Sequence, residues 1–330
     1  MSRTFRLPSE WHPQRWLWIG FPHDAREWPG ILPQAQEQIA AFANAVAESG
    51  EEVRLIVRDA ANEARARSLV SGAVRIERRT YGDVWLRDTG PLVGFEDGAP
   101  IAKRFAFNGW GGKFLMEGDQ TIGAELAQDA GLAVDARDWV LEGGAIDTDG
   151  TGTVVTTEQC LLNPNRNPQL TRDEIEARLA SDLGFERVVW LSDGLINDHT
   201  DGHVDNLARF VAPGRLALPA ASMADDPNAA IYADAAARAR AAGLEVAEVP
   251  SPGLISSGNI IEPASYMNFV VTNALVVVPT YGAMRDFEAI EAIGALFPGR
   301  EAIGIRAEAV LAGGGGFHCA SQQMPELTLR

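Results

Sequence analysis

The residue with the strongest chemical setting is Cys319. It closes the run Gly313-Gly314-Gly315-Gly316-Phe317-His318-Cys319. Four successive glycines allow backbone angles closed to other residues and let a ligand approach the chain closely. A cysteine presented behind such a turn is a candidate nucleophile, because the thiolate is the reactive form and needs a cationic or hydrogen-bonding environment. The other cysteine, Cys160, sits in Thr157-Glu158-Gln159-Cys160-Leu161-Leu162 and reads as a buried, inert thiol.

His203 and Asp205 make a His-x-Asp pair. In a strand, positions two apart face the same way, which aims an imidazole and a carboxylate into one pocket. Histidine is the usual proton donor and acceptor near neutral pH. The same stretch admits a metal reading: Asp198, His199, Asp201, His203 and Asp205 are all possible ligands, although Gly202 works against a helix that would put both histidines on one face. Asp88 lies in Trp85-Leu86-Arg87-Asp88-Thr89-Gly90-Pro91, and Glu142 in Leu141-Glu142-Gly143-Gly144. Singly, each fits a loop cap, since Asp beside Thr-Gly-Pro is a natural turn residue. Together with a thiol and an imidazole they specify a substrate. A planar cation with several N–H donors is best held by carboxylates, so the set points to a guanidinium whose central carbon is open to thiolate attack.

These residues are scattered along the chain, and a recurring unit is what can gather them. The unit is a helical segment, a glycine stop and a β-branched run. Ala35, Ile39, Phe42 and Val46 have helical spacing and precede Gly50 and the strand-like residues 53–57. Residues 120–130 with Gly131 are the second instance. The third opens on a Thr171/Glu174 capping box, continues through Ile175, Leu179 and Leu183 to Gly184, and leads into residues 188–190. Residues 229–242 with Gly243 and 246–249 are the fourth. Phe287, Ile290, Ile293 and Phe297 with Gly299 and 303–305 are the fifth. Further strand-like runs cover residues 153–157, 216–218 and 276–278. Alternating helix and strand predicts an α/β protein, and a repeat of this size predicts a modular array whose units cannot bury their apolar faces alone. A polar, glycine-marked loop follows each unit's strand; the fourth is read as Ser257-Gly258-Asn259. Equivalent loops should emerge on one face and bring Asp88, Glu142, His203, Asp205 and Cys319 together.

Composition narrows the partners. The chain has 330 residues, 46% of them hydrophobic, enough for a large core, and no linker divides it. With 28 Lys plus Arg against 45 Asp plus Glu, its formal net charge is -17. That field repels nucleic acid and anionic membrane and attracts cations. Two cysteines far apart make no disulfide framework and fit a reducing compartment. Residues 1–14 lack an apolar leader, and no apolar run is long enough to span a bilayer. The expectation is a cytoplasmic protein acting on a small cation, with a homo-oligomer left open.

An ordered series of motifs carries a resemblance over nearly the whole chain. It comprises Pro8-Ser9-Glu10-Trp11, residues 85–91, Phe107-Asn108-Gly109-Trp110-Gly111-Gly112, residues 141–144, Cys160-Leu161-Leu162-Asn163 with Asn165-Arg166-Asn167-Pro168, residues 202–206, Ala264-Ser265-Tyr266 with Asn268-Phe269, and residues 313–323. The chain resembles the agmatine deiminases and the related bacterial peptidyl-arginine deiminases of the guanidine-modifying pentein superfamily. The resemblance implies a five-bladed, pseudo-symmetric α/β propeller, here one catalytic domain over residues 1–330. It implies Cys319 as nucleophile, His203 as general acid/base, and Glu142 as acidic partner of that histidine and of the substrate. It further implies Asp88 and Asp205 as the guanidinium clamp and Trp85 and Trp110 as substrate contacts. Side chains then carry every step, with no metal or organic cofactor. Plant-type members usually have Asn where Asp201 stands and Asn-Ile where Gly316-Phe317 stand, and they carry an insertion near residues 250–261. Other readings remain at this stage: deimination of free or peptidyl arginine, a metal-dependent amidinohydrolase, amidino transfer to an amine, and a binding protein without turnover.

Overall fold

The structure, a computed structural model, describes residues 5–327. Residues 1–4 of the N-terminal segment considered above, and 328–330, lie outside the described residues.

The first unit shows how the sequence makes the fold. Helix Leu32–Glu48 carries a proline in its first turn, where a missing N–H is harmless, and buries Ala35, Ile39, Phe42, Ala43 and Val46 along one face. After Gly50, at φ 96°, the chain enters strand Glu52–Val57, which lies parallel to Gln14–Gly20 with Leu17 opposite Val53. A parallel pair needs a crossover of this kind.

The same order recurs five times among the described residues. Helices Ile122–Asp129, Arg172–Leu183, Ala229–Ala241 and Asp286–Gly294 each join a parallel pair: Ala99–Ala106 with Ala133–Val140, Thr153–Thr157 with Arg187–Leu191, Arg215–Ala220 with Glu245–Pro250, and Leu275–Thr280 with Glu301–Arg306. Each first strand of a pair also takes an antiparallel neighbour: Leu92–Glu96, Asp147–Thr148, Arg209–Ala212 and Val270–Val271. In the first sheet that neighbour is Ser321–Pro325, the last described strand, with Met324 opposite Trp16. The result is a mixed α/β fold of five such sheets plus a small hairpin, Ser256–Ser257 with Ile260–Ile261. No helix among the described residues is long and apolar enough to cross a membrane.

The predicted helices hold. The capping box at Thr171/Glu174 is formed and Gly184 ends its helix in the left-handed conformation at φ 72°. Two details differ. Phe287, read as part of an apolar stripe, is 69% exposed; the buried face is carried by Ala289, Ile293 and Phe297. Gly258 is the exposed turn of the small hairpin, so the fourth site loop is not residues 257–259 but the following segment, residues 265–269.

The topology explains convergence. Each site loop leaves the last strand of one sheet and enters the antiparallel strand of the next. Residues 85–91 lead into Leu92–Glu96, residues 141–146 into Asp147–Thr148, and residues 203–208 into Arg209–Ala212. Residues 265–269 lead into Val270–Val271, and residues 313–320 into Ser321–Pro325.

Candidate active site

Packing sets the nucleophile loop. Phe317, two residues before Cys319, stacks on Phe42 of helix Leu32–Glu48 at 4.8 Å between ring centroids. Of the four glycines only Gly314 is left-handed, at φ 108°. The others are required by space rather than backbone angle. A Cβ on Gly313 would lie 2.4 Å from the Trp28 ring, on Gly315 2.8 Å from the Trp85 ring, and on Gly316 2.4 Å from Asn268 Oδ1. Trp85 therefore buttresses the nucleophile loop, and Gly316 makes room for Asn268.

Asn268 is the residue the sequence reading passed over. Its Oδ1 accepts from the backbone N–H of His318 at 2.9 Å and of Cys319 at 3.3 Å, and its Nδ2 donates to Cys319 Sγ at 3.1 Å. The thiol also points to Asp205 Oδ2 at 3.5 Å. Burial, and the negative charges of Asp205 and Asp88, push the Cys319 thiol well above its ordinary value, against the backbone N–H of Gly316 and the Asn268 amide. The free thiol is thus held protonated.

His203 and Asp205 do reach one site, but not as strand neighbours. His203 precedes a single 3₁₀ turn, Val204–Asn206, that contains Asp205. His203 is fully buried, with Nδ1 3.6 Å from Asp88 Oδ1. Burial would lower its pKa, but Asp88 and the other acidic groups around it outweigh burial and raise it well above the ordinary value. Asp88 accepts from Gly144 N and from Trp110 Nε1, each at 2.9 Å. Burial first, then repulsion from Asp205 and Glu142, raises its pKa. Trp110 reaches Asp88 from a left-handed backbone, φ 52°, flanked by Gly109, Gly111 and Gly112. That is strain stored where a polar contact is made. Gly144 has no room for a side chain: a Cβ there would lie 2.7 Å from His203 Nδ1 and 2.8 Å from Asp88 Oδ1.

Glu142 is fully buried and accepts from Arg166 Nε at 2.6 Å through Oε1. Arg166 is consumed structurally, its other nitrogens donating to Asp201 Oδ2 at 2.6 Å and Thr200 O at 2.8 Å. Asp205 Oδ2 pairs with His318 Nδ1 at 2.7 Å, and His318 Nε2 with Glu10 Oε1 at 2.7 Å. Glu10 in turn meets Arg209, and Arg87 at 3.1 Å. His318, and the charges of His203 and Arg209, hold the Asp205 carboxyl below its usual range despite burial. Asp205 is therefore a fixed anion backed by a buried chain that runs through His318 and Glu10 to Arg209 and Arg87. Glu10 and His318 are the second omission of the sequence reading; both stand in motifs quoted there, unassigned. Arg87 turns into this chain.

Four polar atoms of the site have no hydrogen-bond partner: both ring nitrogens of His203, Glu142 Oε2 and Asp205 Oδ1. Buried polar groups are rarely left so. Asp88, Trp85, Trp110 and Cys319 line a cleft of about 120 Å³. The metal reading of residues 198–205 loses its donors. Asp198 binds Thr200 and Asn206, Asp201 binds Arg166 and Lys113, and His199 stands in the cleft wall near Phe114. Cys160, read as inert, is buried in an apolar cluster but adjoins His203 and Glu142.

Residues 6–325 match the family model of Porphyromonas-type peptidyl-arginine deiminases. The chain belongs to that family. A relative from Marinomonas sp. is 36% identical over 98% of this chain and 95% of its own length. The agmatine deiminase of Pseudomonas aeruginosa is 34% identical over 97% of this chain and 95% of its own. The solved agmatine deiminase of Enterococcus faecalis superposes with a TM-score of 0.92 at 31% identity, covering 99% of each chain. As a member of this deiminase family the chain is a hydrolase of guanidino C–N bonds.

Proposed function

We propose that this protein is an agmatine deiminase, converting agmatine and water to N-carbamoylputrescine and ammonia. The observation that carries the reading is one buried cluster assembled from four separate loops: a thiol beside Asp205, an imidazole beside Asp88, and unpaired carboxylate oxygens on Glu142 and Asp205. We read the five units as the blades of a pseudo-symmetric α/β propeller within one catalytic domain. The shared strand order, and the last strand completing the first sheet, support that view.

In this mechanism Asp88 and Asp205 hold the guanidinium, flanked by Trp85 and Trp110. Its charge takes the place of a missing counter-ion beside Cys319, lowering the thiol pKa, and the thiol proton passes to solvent. The thiolate attacks the central carbon, forming a C–S bond. His203, already protonated, gives its proton to the leaving nitrogen as the C–N bond breaks and ammonia departs. The now neutral His203 takes a proton from water, which adds to the S-alkylthiouronium carbon; the C–S bond then breaks, the hydroxyl proton passes to the departing Cys319 sulfur, and the ureido product is released. Glu142, fixed by Arg166, faces the histidine and the substrate with Oε2. Every step is assigned to side chains.

The substrate tail is the remaining choice. The cleft wall also contains Glu27, Asp83 and Arg26. Arg26 is paired with Asp24 and largely exposed. Arg285, another candidate for holding a carboxylate, pairs with Glu288 and is not in the cleft wall. Burial raises the pKa of both carboxyls, that of Asp83 well above its ordinary value, so Glu27 and the neutralised arginine carry the preference for the ammonium tail of agmatine over the α-carboxylate of arginine. Incubation of purified protein with agmatine, arginine and an arginine peptide, with ureido product and ammonia both quantified, tests the reading. Arginine turned over as efficiently as agmatine would refute the substrate; ureido product without ammonia would refute the hydrolysis.

A further inference from the structure

The mechanism does not use Cys160. On one side this thiol packs in an apolar cluster with Val154, Leu161 and Ile175. On the other it meets the proton-transfer end of the site. Its Sγ, a ring nitrogen of His203 and a carboxylate oxygen of Glu142 all lie within 4.8 Å of one another. All three side chains are fully buried. Glu142 Oε2 lacks a partner, because Arg166 engages only Oε1, and the His203 ring is met by Asp88 at 3.6 Å and by the Cys160 thiol.

Thiolate, imidazole and carboxylate are the ligands of a borderline-soft divalent ion such as Zn²⁺. Bonds of about 2.0–2.3 Å to a tetrahedral ion put its ligand atoms roughly 3.3–3.8 Å apart, so no pair of the three groups has to close by more than about 1–1.5 Å. Asp88, 3.6 Å from His203, adds negative potential, as does the net charge of -17.

We propose that Cys160, His203 and Glu142 form an inhibitory site for a soft divalent cation, with Zn²⁺ as its ligand. The ion occupies the nitrogen that must carry the proton, and on coordination one proton from His203 and one from Cys160 pass to solvent. Inhibition rests on the reading of His203 as proton carrier; binding does not.

The test uses the full chain, dialysed against EDTA and then titrated with ZnCl₂ during agmatine turnover, and separately with CoCl₂ while absorbance is recorded. Zn²⁺ should arrest turnover and EDTA restore it. Cys160→Ser should keep turnover but need roughly tenfold or more Zn²⁺ for the same inhibition. The inactive Cys319→Ser protein should retain the thiolate-to-Co²⁺ charge-transfer band, and Cys160→Ser should lose it. The reverse pattern would put the metal on Cys319 and overturn the proposal, as would the absence of any band in the wild type. Should Cys160→Ser itself lose turnover, or agmatine prove not to be the substrate, the Co²⁺ band still decides.

Discussion

Replacing Asp88 by Asn separates charge from shape at the centre of the site. The two oxygens of Asp88 accept from two donors, Gly144 N and Trp110 Nε1, both at 2.9 Å. An amide has one oxygen and one NH₂, so in either orientation one N–H faces another N–H, at a cost of about 1–3 kcal/mol. In the folded protein without substrate this is offset. Asp88 is a buried anion with a raised pKa, repelled by Asp205 and Glu142, and neutralising it removes that burden, while His203, which owes its charge mainly to Asp88, gives up its proton rather than stay an unpaired cation. Stability should therefore change little. Catalysis has no such offset. Losing one partner of a buried ion pair costs about 3–5 kcal/mol, which is roughly two to three and a half decades in kcat/KM. The assay is ureido product formation from agmatine at neutral pH, alongside thermal unfolding of both proteins. The wild type should also lose activity as pH falls through the raised Asp88 pKa, since the clamp works only when ionised. An Asp88→Asn enzyme within about threefold of wild type in kcat/KM would show that the carboxylate is merely a loop cap. An activity loss accompanied by an unfolded protein would refute the claimed offset.

Cys319→Ser should abolish turnover while agmatine binding persists in calorimetry, because no group here is a strong enough base to ionise a serine hydroxyl; substantial turnover in a contamination-free preparation would end the covalent mechanism. In the free enzyme, iodoacetamide inactivation should keep accelerating above the ordinary thiol value of about pH 8.5, since burial and Asp205 raise the Cys319 pKa; a plateau near neutrality would contradict the electrostatics. Gly144→Ala should fold yet lose most activity, as its methyl would meet His203 Nδ1 at 2.7 Å; unchanged kinetics would mean that the two side chains yield freely. Glu27→Gln should raise KM for agmatine by about two- to fivefold with kcat held and leave arginine turnover unaffected, and an equal effect on both substrates would remove Glu27 from tail recognition.

What the sequence made legible follows from how local each signal is. Helix starts and stops are written in neighbouring residues, such as Thr171 with Glu174 and the glycine at 184, and these were read correctly. Chemical candidates stand out by residue type and setting, which is why Cys319, His203 and Asp88 could be singled out. The reason for a setting was less visible. The glycines before Cys319 look like a backbone requirement, yet three of them answer to Trp28, Trp85 and Asn268, which are distant in sequence. The same holds for Asn268 itself. Its loop was sought at Gly258, the stronger turn signal, but that turn closes an exposed hairpin, while the amide that reaches the nucleophile sits in an apolar stretch with no punctuation. Glu10 and His318 were invisible for a related reason: a buried charge chain is a property of pairs, and its pairs span 308 residues.

The distribution of charge links binding, ionisation and release. Without substrate the cluster holds Asp88, Asp205 and Glu142 close together, with Arg166 committed to Glu142 and His318 to Asp205. His203 already faces Asp88 as a cation, but Cys319 stands beside Asp205 and Asp88, and a second cation is what it needs in order to ionise. Binding and activation of the nucleophile thus become one event, and a neutral ligand cannot trigger it. Hydrolysis then reverses the balance. The ureido group is uncharged, so Asp88 and Asp205 lose the substrate's charge at the moment the product forms and keep only His203 and His318 beside them. The carboxylates that draw agmatine in therefore favour release of the ureido product, and the site resets with Cys319 protonated and inert toward solvent oxidants until the next cation arrives.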